Sequence, residues 1–155
     1  MALPDLEILG SVHLEDDHVT RLRHWIGSAS HIKRFTSVLL STHRLALEVL
    51  RYVDHAHQPV PRAERLCRFC KTEVESPEHA LITCESSTTV VQLRAIFLAK
   101  LFVDLPELRI QMVILSNTEF LKAIIYPRST IPLVAKFAFD VLEVFYEVPV
   151  YRVEA

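Results

Sequence analysis

The chain has 155 residues, of which half are hydrophobic, a formal net charge of −2, and only two glycines. This length fits one domain, and the apolar fraction argues against a disordered chain. The scarcity of glycine disfavours glycine-rich phosphate loops and tight hairpins, and the near-neutral charge gives no general attraction to nucleic acid. We therefore expect a single, mainly α-helical domain.

The sequence shows no sign of membrane insertion or export. No apolar run reaches the roughly 18 residues that a membrane span needs. The N-terminal residues MALPDLEILG lack the basic start of a signal peptide. We expect an intracellular protein, in the nucleus or the cytoplasm, without membrane contact.

The N-terminal third predicts a short arm followed by helices. Residues 1–14 are assigned to the arm, and the domain proper to residues 15–147. A first helix is predicted from the apolar spacing of Val19, Leu22, Trp25 and Ile26. Residues 30–54 are predicted to be helical, as one helix or as two broken near residues 41–42, with one apolar stripe over Leu45, Val49, Tyr52 and Val53.

Residues 62–86 contain every cysteine of the chain and form the strongest motif. Cys67, Cys70, His79 and Cys84 follow the pattern C-x2-C-x8-H-x4-C. A Cys-x2-Cys turn presents two thiolates to one Zn²⁺ ion, and four such ligands close a structural tetrahedron. We predict a structural Cys3His zinc site, carried on a small hairpin that is inserted into a helical bundle. One alternative is three buried free thiols beside a surface histidine. A disulfide is less favoured, because the odd number of cysteines would leave one thiol unpaired.

A short helix is expected to bring the last two ligands back to the first two. Ser76 can cap it, and Pro77 and Glu78 suit its first turn. Five residues of ideal α-helix rotate by about 140° net, so His79 and Cys84 would not share a face of a regular helix. The helix is therefore predicted to end near Thr83.

The C-terminal half predicts further helices over residues 86–103, from 104 to 112 or 115, 119–126 and 130–147. In the first of these, Val90, Leu93, Phe97 and Leu101 form the inner face and Arg94 lies off it. Asn117 or Thr118 is the expected cap of the helix at 119–126. The helix at 130–147 has an apolar face wide enough for contact on two sides, so it is either central in the bundle or meets a partner. Residues 148–155 form a tail that is either a short strand or an extended lid.

The metal motif and its flanks resemble a known family. Cys67-x2-Cys70 followed by Glu75-Ser76-x2-His79-Ala80-Leu81-x2-Cys84 is similar to the zinc-binding region after the polymerase of non-LTR (LINE-type) retrotransposon reverse transcriptases, particularly fungal ones. Residues 41–48, 115–121 and 125–130 resemble the flanks of that region. The resemblance covers about residues 36 to 152 and implies a zinc module that helps to engage RNA or DNA. It implies no enzyme here, because the polymerase motif is absent.

Three functional classes follow from these observations. The first is RNA or DNA binding by basic and aromatic residues around the first two ligands, namely Arg62, Arg65, Arg68, Phe69 and Lys71. The second is a protein-interaction or dimerisation adaptor that uses the helix at 130–147 and contains a purely structural zinc. The third and least favoured is a metal- or cysteine-dependent enzyme, which would need an open coordination position or a free thiol.

Overall fold

The computed structural model describes residues 28–53 and 56–153, and these residues form a helical bundle with an inserted hairpin. The helices are α1 (Ala29–Leu39), α2 (Ala46–Val49), α3 (Thr88–Asp104), α4 (Glu107–Ile114), α5 (Asn117–Ile125) and α6 (Ile131–Tyr146). Short 3-10 turns lie at Arg62–Glu64 and Arg128–Thr130. The predicted fold class is confirmed.

Helix α6 is the centre of the bundle. Its apolar residues Val134, Ala138, Val141, Leu142 and Phe145 are all buried. Helices α1 and α3 both pack against it, because the wide apolar stripe of α6 has area for two neighbours. The stripe is thus covered within the described part of the chain. A partner surface on the helix at 130–147 is therefore not supported by its packing.

Aromatic contacts hold these two neighbours in place. The ring of Phe97 on α3 stacks on that of Phe137 on α6, with 4.1 Å between the centroids. On the other side, the ring centroids of His31 on α1 and Phe139 on α6 lie 5.0 Å apart. Since α1 and α3 contact different residues of α6, the core is built largely from these helices and does not depend on the hairpin alone.

Of the segment predicted at 30–54, the described residues up to 53 form two helices and not one. The chain leaves α1 through Ser41, whose φ of 53° is in the left-handed region and ends the helix. Leu45 is buried as predicted, but Val49, Tyr52 and Val53 are exposed. The stripe prediction is wrong for these three residues because α2 has only four residues and the chain departs from the core after it.

Helix α5 begins with a capping box. The Ser116 hydroxyl accepts from the Glu119 amide at 3.3 Å, and the Glu119 carboxylate accepts from the Ser116 amide at 3.1 Å. The cap is therefore Ser116, just before the predicted Asn117 or Thr118.

At the two ends of the chain, the described residues test the predicted C-terminal tail but not the predicted N-terminal arm. Residues 148–153 contain neither helix nor strand, so the strand alternative for the tail is wrong over the described residues. The predicted arm at 1–14 and the helix through Val19 and Trp25 lie outside the described residues. Among the helices that are described, none combines the length and the apolar character that crossing a membrane requires.

Candidate metal centre

The hairpin that carries the first two ligands is held by backbone hydrogen bonds. Leu66 and Val74 form an antiparallel bridge, and the Cys67 amide donates to the Glu73 carbonyl at 2.8 Å. Between them the Lys71 amide donates to the Cys67 carbonyl at 2.9 Å, and Lys71 adopts a left-handed φ of 58°. This tight turn folds the Cys-x2-Cys segment back on itself, so both sulfur atoms face the same side.

The return segment begins as predicted and then widens. The Ser76 hydroxyl accepts from the His79 amide at 3.2 Å, which is the expected N-cap contact. After helical residues 77–78 the chain forms a π-helix over His79–Thr83, closed by a bond of 2.8 Å from the Cys84 amide to the His79 carbonyl. Because an i→i+5 helix has more residues per turn than an α-helix, it brings Cys84 nearly back to the angular position of His79.

The four predicted ligands meet at one point. Their ligand atoms all lie within 4.8 Å of one another. The sulfur atoms of Cys67 and Cys84 are 3.8 Å apart, and the Cys70 sulfur is 3.4 Å from His79 Nε2. Cys67 and Cys84 are fully buried, while His79 is 9% exposed. Cys67, Cys70, His79 and Cys84 are thus close enough to bind a metal ion together.

Hydrogen bonds among the ligands shift their protonation. The hydrogen bond between the two thiols raises the pKa of Cys67 to about 12, helped by burial, and lowers the pKa of Cys84 to about 7 against burial. Burial acts to raise the pKa of Cys70, but bonds from Thr72 and from backbone amides outweigh it and lower that pKa. Cys70 and Cys84 are therefore biased toward the thiolate form that metals bind.

Thr83 orients the histidine, although the sequence predicted it only as the end of the helix. Its hydroxyl oxygen lies 3.1 Å from His79 Nδ1, one helical turn along the same segment. In the tautomer that donates from Nδ1 to Thr83, Nε2 keeps its lone pair and faces Cys70. The sequence signal was available, since Thr83 is four residues after the ligand.

Arg94 connects the ligand segment to helix α3 by hydrogen bonds. It was predicted to lie off the inner face of this helix, and that prediction is wrong. Its side chain is buried, with Nε 2.7 Å from the Leu81 carbonyl and one Nη 3.0 Å from the Cys84 carbonyl. These carbonyls end the π-helix and have no partner further along it, so the guanidinium takes the place of a C-cap. Burial lowers the pKa of Arg94, and its charge helps to lower that of Cys84.

A buried ion pair crosses the base of the hairpin. Glu75 has no exposed surface, and Arg68 is nearly buried, with its Nη2 2.7 Å from the Glu75 carboxylate. Both oxygens of Glu75 also accept backbone amides, from Ala46 and from Arg68 itself, each at 2.7 Å. The carboxylate thereby joins the hairpin to the start of α2.

The same guanidinium reaches the end of the central helix. Arg68 donates to the carbonyls of Phe145 and Val148 at 2.6 Å each, and to that of Arg44 at 3.0 Å. Every arm of this side chain is therefore engaged inside the protein. Arg68 was predicted to contact nucleic acid, but it is not presented on the surface, so that prediction is not supported by its position.

The other residues predicted for nucleic-acid binding have mixed positions. Arg62 and Lys71 are exposed. Arg65 is half-buried and donates to the carbonyls of Val60 and Leu47. Phe69 is partly buried against the core, and its ring makes a T-shaped contact with that of Phe145, with centroids 4.8 Å apart.

Comparisons with family models, with curated proteins and with solved structures found no match to this chain. The resemblance to retrotransposon reverse transcriptases therefore stays a prediction.

Proposed function

We propose that this chain is a non-catalytic module in which a structural zinc ion clamps the hairpin to helices α3 and α6. The observation that carries the proposal is the convergence of four sulfur and nitrogen ligands in the interior. Tetrahedral zinc with bonds of about 2.3 Å to sulfur and 2.0–2.1 Å to nitrogen needs sulfur atoms about 3.8 Å apart and sulfur–nitrogen separations of about 3.6 Å. The separations of 3.8 Å and 3.4 Å support this ion.

The chemistry of the donors favours a structural over a catalytic role. Four protein ligands complete the coordination of zinc, whereas catalytic zinc sites keep one position for water. Cys67 and Cys84 are buried, so a substrate would have no access to the ion from their side. All three thiols serve as ligands, which leaves none as a nucleophile among the chain's cysteines.

Metal content measures this proposal directly. We expect one equivalent of zinc in the purified chain and much less than one in Cys70→Ser, because a hydroxyl is a poor replacement for a thiolate ligand. Ser86→Ala, which changes an exposed residue close to the last ligand, is the control and keeps one equivalent. A full equivalent of zinc in Cys70→Ser would refute the ligand assignment.

We propose that the module binds RNA or DNA through a surface that overlaps only in part with the predicted one. Lys71 Nζ lies 5.0 Å from the centre of the Tyr151 ring, and the Arg44 guanidinium lies 5.3 Å from that of Tyr146. Arg44 and Lys71 are exposed, and cations beside aromatic rings suit both phosphates and unstacked bases. The resemblance stated above also favours this role.

Salt dependence distinguishes this role from a purely protein-binding one. Affinity for single-stranded RNA should fall with salt, with a slope of about −0.7 in log–log form for each phosphate contact. Lys71→Ala should make that slope shallower, and Tyr151→Ala should weaken binding without changing it. Lys122→Ala, an exposed lysine on α5, is the matched control and should bind as wild type. An affinity unaffected by Lys71→Ala and Tyr151→Ala would contradict the proposed surface.

A further inference from the structure

Helices α3 and α4 carry apolar side chains on the faces that point away from the core. On α3 these are Val91, Ile96 and Val103, with Val103 80% exposed. On α4 they are Ile110, Val113 and Ile114, with Val113 84% exposed. The inner faces of the same helices hold buried Phe97, Leu101 and Leu108. Both helices are therefore apolar on two sides, and only one side is covered by described residues.

Such a surface is unusual for an isolated domain. A helix that is apolar all round is normally buried on all sides. Single exposed apolar residues are common, but contiguous apolar patches of more than a few hundred Å² mark contact sites. In α4 the three exposed residues follow the i, i+3, i+4 spacing of one helical face, and in α3 Ile96 and Val103 are seven residues apart on one stripe. The two helices also contact each other, with the Arg109 guanidinium 5.4 Å from the Phe102 ring.

We propose that this outer face, defined by Ile96, Val103, Ile110, Val113 and Ile114, binds a second copy of the chain in a symmetric dimer. The five side chains are 56% to 84% exposed, which corresponds to about 600 Å² per copy. Two copies would then bury about 1,200 Å², which is at the lower end of the usual range of stable interfaces.

The chemistry of the face also fits a second copy. Two exposed charges lie on the same stripes, Lys100 between Ile96 and Val103 on α3 and Glu107 one turn before Ile110 on α4. Their charges are opposite, so a two-fold axis, which pairs each patch with the same patch of the partner, can set Lys100 of one copy against Glu107 of the other. The contact is apolar, so it persists at high salt, unlike the RNA contact proposed above. The inference does not rest on that binding role.

The zinc-loaded full chain tests the inference by sedimentation equilibrium. Wild type should form a dimer at high and low salt. Val103→Asp/Val113→Asp should raise the dissociation constant by at least about 100-fold, because each change removes apolar contact from both halves of the interface. Val53→Asp, an exposed valine of similar accessibility outside the face, is the matched control and should dimerise as wild type.

Three results would overturn the proposal. One is a wild-type chain that stays monomeric at every concentration, and another is a dimer that persists in the double variant. The third is a monomer in which Trp25, the single tryptophan, changes its emission in Val103→Asp, since residues 1–27 would then be the occupant. Ile110→Lys is a second variant should the first lose its helical circular dichroism, and it should be equally monomeric.

Discussion

At the scale of single residues, the pair formed by Arg68 and Glu75 has the most consequence for stability. Removing one partner of a buried ion pair leaves the other charge buried and uncompensated, which costs about 3–5 kcal/mol. Here Arg68 also satisfies three backbone carbonyls from two separate parts of the chain. Its role is therefore to join the hairpin, the start of α2 and the end of α6.

We predict that Arg68→Met and Glu75→Leu each lower the free energy of unfolding by about 3–5 kcal/mol. The double variant should lose clearly less than the sum of the two, because neither charge is then left alone. Urea denaturation of the four proteins measures the coupling. The exposed pair of Lys136 and Asp140 is the control, and Lys136→Met should cost less than about 1 kcal/mol. Strict additivity at Arg68 and Glu75 would contradict the prediction.

His43 is a second residue whose burial should have a measurable effect, here on how the stability depends on pH. It is 4% exposed, and its Nδ1 has no hydrogen-bond partner among the described residues. Burial lowers the pKa of His43 from its usual 6.5, against the opposing effect of the nearby Glu48, Glu78 and Glu75. The folded state therefore binds fewer protons than the unfolded state between that lowered pKa and 6.5, and stability is lost as the pH falls through this window.

We predict that His43→Leu removes this contribution, which is at most about 1.4 kcal/mol per pH unit. Unfolding free energies of wild type and variant, measured from pH 7 downward, should therefore fall more steeply in wild type below about pH 6.5. The metal ligands also titrate in this range, but they do so in both proteins. The difference between the two curves of unfolding free energy against pH therefore gives the contribution of His43 alone. Parallel curves would show that His43 does not contribute.

At the scale of elements, the π-helix at His79–Thr83 decides whether the metal site can form. A regular α-helix would place His79 and Cys84 on different faces, and the sequence-based expectation was that the helix must end early. The helix does end at Thr83, but it also widens, and this widening brings Cys84 back toward His79, while Thr83, four residues after His79, lies beside its Nδ1. Residues that support a ligand in this way tune the affinity of the metal without binding it.

We predict that Thr83→Val lowers the zinc affinity by about 10- to 100-fold while leaving the fold intact. Valine has nearly the same shape but accepts no hydrogen bond, so the imidazole loses its fixed tautomer. Competition with a chromophoric chelator measures the affinity, and circular dichroism checks the fold. The control is Thr89→Val, the same change at an exposed position on α3. Equal affinities in the two variants would argue against an orienting role.

At the scale of the whole molecule, the bundle and the metal site are two partly independent sources of stability. Helices α1 and α3 each bury their apolar faces against α6 through contacts that do not involve the hairpin. Structural zinc in small peptides contributes about 10–16 kcal/mol, which is comparable with the total stability of a domain. In this chain a metal bound at the four ligands would add to a core that exists beside it.

We predict that chelation of the metal disorders about residues 60–86 and retains most of the helical content. The hairpin lacks a core of its own, whereas the helices keep theirs. Circular dichroism with a strong chelator, combined with hydrogen exchange, measures both effects, and re-addition of zinc should restore protection of the hairpin. A complete loss of helical signal on chelation would contradict the independence of the bundle.

The sequence alone determined the helical class, the ligand set and most helix positions, because each depends on local spacing. A Cys-x2-Cys turn, a Ser-Pro-Glu helix start and apolar residues every three or four positions can be recognised without knowing what they pack against. The same local pattern was wrong for Val49, Tyr52 and Val53, since periodicity does not tell whether a neighbour is present.

Only the tertiary structure decided the roles of the buried charges and the direction of the apolar faces. Arginine and glutamate usually lie on the surface, but the structure buries Arg68, Glu75 and Arg94. They are buried because they form hydrogen bonds with backbone carbonyls and amides of distant segments that would otherwise be unpaired. In the same way, α6 is central because α1 and α3 both cover it, while the outer faces of α3 and α4 have no such cover among the described residues. Such assignments depend on contacts between segments far apart in the chain, which local patterns do not contain.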